Sequence, residues 1–135
     1  MTTAVKDLRG ATEAIVAKLK EKGISNNEKL LSAAAAPAQR RELAAQCGCD
    51  AKDILELANR ADLARIKGIS GVYSDLLETA GVDTVKELAT RRPDNLLAKI
   101  ISTNDAEKLT QRPPTIAAVK SWIEQAKELP KILTY

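Results

Sequence analysis

Five consecutive residues, Lys67-Gly68-Ile69-Ser70-Gly71, are the part of this chain best suited to chemistry with an anion. They lie between two helical runs. Glycines let the backbone reverse there, and a helix that begins at such a turn presents unpaired N–H groups and a partial positive charge. The N–H groups of Ile69, Ser70 and Gly71 are the candidate donors to a phosphate, with the Ser70 hydroxyl as a further one. Lys67 and Arg65 are the nearby cations, whereas Asp75 and Glu78 further along the helix oppose such a role. The same residues also support a purely structural reading. Gly68 and Gly81 are then a tight turn and a helix stop, and Ile66, Ile69, Leu76, Leu77 and Val82 are core.

Two thiols are the other reactive groups, Cys47 and Cys49 in "QCGC". A bond between residues only two apart is strained, so two reduced thiols at a helix C-terminus are expected, with Gly48 making the reversal. The chain has no histidine. Zinc sites that need imidazole are therefore excluded, and two thiolates do not complete a four-cysteine site. There is no G-x-S-x-G elbow and no Walker-type loop. Carboxylates are scattered among basic partners instead of converging. The expectation is a non-enzymatic protein with no catalytic residue, no metal and no cofactor.

The elements that carry these groups read as helices throughout. An apolar-periodic run, 11–22, stops at Gly23, and the segment from the N-terminus to that glycine reads as the first helix of the fold. Ser25 or Asn26 caps a short helix through Leu30 and Leu31. Another begins near Pro37 and stops at Gly48. Asp50, with Asp53 three residues on, opens a helix reaching about Arg65. After the turn, Gly81 closes one helix, Asp83 opens the next, and Pro93 suits the first position of another. Asn104 is expected to cap a short "DAEKL" helix, and Thr115 the last one, which Pro130 ends. In that last helix Val119, Trp122, Ile123 and Ala126 share one face, expected to be buried with Trp122 against the second hairpin. No segment alternates with period two, so no strand is expected.

The order of elements repeats. Gly10 pairs with Gly68, and Gly23 with Gly81, at one shared shift of 58 residues. Leu19 then falls on Leu77, Ile24 on Val82 and Leu30 on Leu88, and "DILELANRA" resembles "AVKSWIEQA" after an insertion around "TNDAEKLTQRPP". The reading is two related helical units, 1–62 and 63–135, which share a core as one compact domain, since neither alone buries much. The first turn, "GAT", has Glu13 where a phosphate is least welcome.

Composition agrees with an all-α protein. Of 135 residues 44% are hydrophobic, almost all Ala, Leu, Ile and Val, with no Phe. Such a core suits closely packed helices. The net charge of +3 is too mild to imply nucleic acid by itself. No apolar run approaches the roughly 20 residues of a membrane span, and the start lacks the apolar region and cleavage site of a signal peptide. A cytoplasmic protein without membrane attachment is the expectation.

The pattern "I-x-G-I-S-x-x-x-S-x-x-L-x-x-x-G-V-x-T" resembles the helix-hairpin-helix motif, whose turn amides face a nucleic-acid phosphate. The blocks "RADLARIKGISGVYSDLLETAGVDTVKELATRRPDNLLAKI" and "RPPT…VKSWIEQAKELP", with the final "TY", resemble the domain of unknown function DUF4332. This resemblance implies an all-α, non-enzymatic domain related to tandem helix-hairpin-helix proteins. The functional expectation is weak DNA binding, indifferent to sequence, through Arg65 and the Lys67–Gly71 turn. Arg91 and Arg92 are candidates to extend the patch, or else serve the dipole of their helix. The alternative is a protein-interaction, self-associating or apolar-ligand-carrying module with purely structural hairpins.

Overall fold

The computed structural model describes residues 2–69 and 71–135. Among them the protein is all-α, with eight α-helices, no strand and one isolated antiparallel bridge between Ala4 and Asn26. The helices are α1 Glu13–Glu21, α2 Asn27–Ala33, α3 Pro37–Cys47, α4 Ala51–Leu63, α5 Gly71–Thr79, α6 Val85–Ala89, α7 Pro93–Glu107 and α8 Ile116–Glu128.

Two compact units are present, Met1–Arg65 with Ile132–Tyr135, and Ile66–Lys131. In unit 1, α1 packs on α3, while α2 and α3 pack on α4. In unit 2, α5 packs on α7, while α6 and α7 pack on α8. The two units thus use the same helix pairings in the same order.

The correspondence extends to single hydrogen bonds. Ala11 N–H donates to Leu8 O at 3.2 Å, and Ile69 N–H to Ile66 O at 3.2 Å. After α1, Ile24 N–H donates to Leu19 O at 2.9 Å, and after α5, Val82 N–H donates to Leu77 O at 2.7 Å. Gly10 and Gly68 have φ of +90° and +99°, and Gly23 and Gly81 have +78° and +96°. Asn26 accepts from Lys29 N–H at 2.9 Å to cap α2, as Thr84 accepts from Glu87 N–H at 3.1 Å to cap α6. Each cap satisfies a first-turn donor that has no partner within its helix.

Several helix ends differ from the sequence reading. Residues 5–7 form a 3₁₀ turn instead of joining α1, which Thr12 caps through Ile15 N–H at 3.2 Å. Thr84, not Asp83, is the cap of α6. Asn104 does not start a new helix. It lies inside α7, and its amide donates to Thr110 O at 2.9 Å and accepts from Thr110 N–H at 3.0 Å. A side chain with both a donor and an acceptor can pair both main-chain groups of one residue this way, so Asn104 ties down the segment that follows the helix.

Candidate functional site at the Lys67–Gly71 turn

Unit 2 opens with the turn, and α8 holds it from one side. Gln125 brackets the Lys67 peptide: its Oε1 accepts from Lys67 N–H at 2.8 Å and its Nε2 donates to Lys67 O at 3.1 Å. Lys67 and Gly68 are exposed. Trp122, three residues before Gln125 and so beside it on the helix, lies against Gly68. A Cβ built on Gly68 would sit 3.0 Å from Trp122 Nε1. Trp122 itself is 2% exposed, and its ring meets that of Tyr73 at 5.4 Å between centroids, tilted by 50°. Tyr73 in turn donates its hydroxyl to Arg112 O at 2.9 Å. The expected face of α8 (Val119, Trp122, Ile123 and Ala126) is buried throughout.

The candidate residues do not all converge. The Ile69 N–H, expected to face a phosphate, donates to Ile66 O at 3.2 Å, and the Ile69 side chain is buried. Arg65 is no surface cation. Its guanidinium pairs with Asp62 Oδ1 at 2.6 Å and 3.2 Å, with only 8% of the side chain exposed. A charge buried to this degree needs such a partner, and the pair lies where α4 ends. Ser70 lies outside the described residues. Gly71 begins α5 and is exposed, and the first turn of α5 carries no acid. The site therefore reduces to the Lys67 ammonium and the start of α5.

The arginines expected to extend the patch serve other groups. Arg91 donates to Glu87 Oε1 at 2.7 Å and 3.2 Å, and to Gly81 O at 3.2 Å, where α5 has just ended. Arg92 approaches Asp94 at 3.6 Å with both side chains mostly exposed. Trp122 packs on this hairpin as the sequence implies, but its contact at Gly68 and the bracket made by Gln125 escaped the sequence reading, since both residues lie more than 50 positions from the turn. The spacing of Trp122 and Gln125 on one helical flank is the signal that would have found them.

The two cysteines are free and lie at the end of α3, with Cys47 buried. Burial pushes the Cys47 thiol above its ordinary range, with Lys22 and Lys18 acting the other way. Burial likewise raises Cys49, aided by Cys47, Asp53 and Asp50. Such thiols are poor nucleophiles, because the thiolate is the reactive form. Among the described residues no cluster of His, Cys, Asp and Glu is gathered to hold a metal ion, and no helix is long and apolar enough to cross a membrane.

The family model for the domain of unknown function DUF4332 matches residues 9–129. The chain belongs to the DUF4332 family. The matched span of this DUF4332 domain takes in both glycine pairs and all eight helices. No curated protein and no solved structure matches it.

Proposed function

We propose that this DUF4332 domain is a non-enzymatic binding module that meets a nucleic-acid phosphate backbone weakly and without sequence preference. The observation that carries this reading is the exposed Lys67 on a turn fixed by Gln125, leading into a helix whose first turn has no acid. A helix start of this kind favours an anion, and a fixed turn presents it without an ordering cost. The counterpart helix, α1, has Glu13 in its first turn, so unit 1 contributes no equivalent contact. A cytoplasmic setting belongs to the proposal, since two free thiols suit a reducing compartment.

The test is a titration against duplex and single-stranded DNA at two salt concentrations. Affinity should fall in the non-specific range, about 10⁻⁴–10⁻⁶ M. Lys67→Glu should weaken it equally on all sequences and leave the fold intact, because the side chain is exposed. Absence of binding at low salt ends the reading.

A second reading has its own observation. The contact of Gly68 with Trp122 gives the glycine a structural reason that needs no ligand. On that reading the hairpins only build the units, and the module binds a protein partner or itself. A flat DNA titration at low salt is its signature, since Gly68→Ala is destabilised on either reading.

A further inference from the structure

Arg40 takes no part in the hairpins, yet it is a buried cation, 4% exposed on α3. Its guanidinium donates to Ala34 O at 2.9 Å, Ala35 O at 3.0 Å and Thr134 O at 2.6 Å. The first two carbonyls follow α2, where helix ends leave acceptors without intrahelical partners. The third belongs to Ile132–Tyr135, a helix-free segment that forms part of unit 1.

That segment pairs back onto the same place. Thr134 N–H donates to Ala35 O at 2.8 Å, and the Thr134 hydroxyl reaches the same oxygen at 3.2 Å. Leu133 is 9% exposed within the apolar core of unit 1. The Tyr135 ring covers the Arg40 guanidinium at 5.7 Å, and its hydroxyl lies 3.2 Å from Asn59 Oδ1. Main-chain pairing sets the register, Leu133 and the partly buried Ile132 are the aliphatic anchors, and one aromatic ring closes over a cation. These are the contacts of a short peptide docked on a domain. The tether is short and non-helical: α8 ends at Glu128, Leu129 has extended backbone at φ −77° and ψ 139°, and Pro130 follows.

We propose that Ile132–Tyr135 is a removable strap, and that the trough it fills beside Arg40 docks the same segment of a second copy, so that two chains exchange straps. The fitting segment is carried by every copy. Exchange reproduces the strap's own contacts and needs no new complementary surface for them, so it is opposed by the cost of association and of redirecting the tether. Arg40 holds the trough ready. When the strap lifts, the buried guanidinium loses the Thr134 carbonyl, one of its three carbonyl acceptors, and its aromatic cover, and a second strap restores both.

The experiment mixes two full-length variants. Leu133→Asp spoils the strap and keeps the trough, while Arg40→Gln spoils the trough and keeps the strap. Each alone should be monomeric by analytical ultracentrifugation. Their equimolar mixture should give a heterodimer at chain concentrations well below the roughly millimolar effective concentration of a tethered segment, because the trough of the Leu133→Asp chain has no competent strap of its own. A labelled peptide of sequence Lys-Ile-Leu-Thr-Tyr should bind the Leu133→Asp chain saturably. Two folded variants that never form the heterodimer overturn the proposal, and peptide binding without a heterodimer overturns the choice of a second copy. If either variant fails to fold, amide exchange on the unmodified chain decides. A Thr134 amide that exchanges well ahead of Leu57 supports a removable strap; exchange of the two together makes the segment core and ends the idea.

Discussion

At the scale of single residues, Gly68 shows two constraints acting at one atom. Its φ of +99° is a conformation that L side chains rarely adopt, and Trp122 stands where a Cβ would go. Gly23 shares the first constraint, at φ +78°, but has nothing within 4 Å. Gly23→Ala should therefore cost about 1–2 kcal/mol from backbone strain alone. Gly68→Ala should cost more, adding the displacement of a tightly held indole, in total about 2–4 kcal/mol. Urea unfolding of the two variants checks this, and equal losses would mean that the Trp122 contact adds nothing. The thiols give a second residue-scale expectation. Because burial raises both folded-state values, the unfolded chain ionises first as pH rises. Their contribution to stability is complete below the ordinary thiol range and is lost as pH climbs through the raised values. Alkylation followed by mass spectrometry should find both slower than a free thiol, with buried Cys47 the slower of the two.

Helix ends were the hardest feature to read at the scale of elements. Asn is a good cap, and an Asn followed by acidic residues reads as a helix start. At 104 it is instead a mid-helix side chain whose amide pairs with Thr110, a partner six residues on that no local propensity reveals. Similarly, Asp83 and Thr84 are both competent caps, and the structure selects Thr84. Asn104→Ala leaves α7 a better helix former while stripping both bonds from the Thr110 peptide. We expect a net loss of about 1–3 kcal/mol and much faster amide exchange at Thr110, read by NMR. Unchanged protection at Thr110 would mean that the segment is held by other contacts.

For the whole molecule, the charge balance of +3 is spread over both signs, and Arg65 and Arg91 are already paired with Asp62 and Glu87. Binding to DNA through the turn should consequently be weakly salt-dependent. With Lys67 as the principal contact, the slope of log K against log salt should be about −1, following roughly −0.9 per phosphate neutralised. A much steeper slope in the unmodified protein would place the main contact surface elsewhere on the chain, and would leave Lys67→Glu with little effect.

Periodicity, caps and the 58-residue shift made the helical class, most of the helices and the correspondence of Gly10 with Gly68 legible in the sequence, whereas the short helix expected after Asn104 proved to be part of α7. These are local properties: a helix is closed by bonds between near neighbours, and a repeat is a comparison of one stretch with another. The buried face of α8 was legible for the same reason, since four apolar residues at helical spacing can only share one side. The state of the candidate donors was not. Whether Ile69 N–H is open, whether Arg65 reaches solvent, and what lies over Gly68 depend on Ile66, Asp62 and Trp122. The first two are short-range partners, but their geometry follows from how the end of α4 turns. The third, like the pairing of Arg40 with Thr134, joins residues far apart in the chain, and only folding decides which distant groups meet.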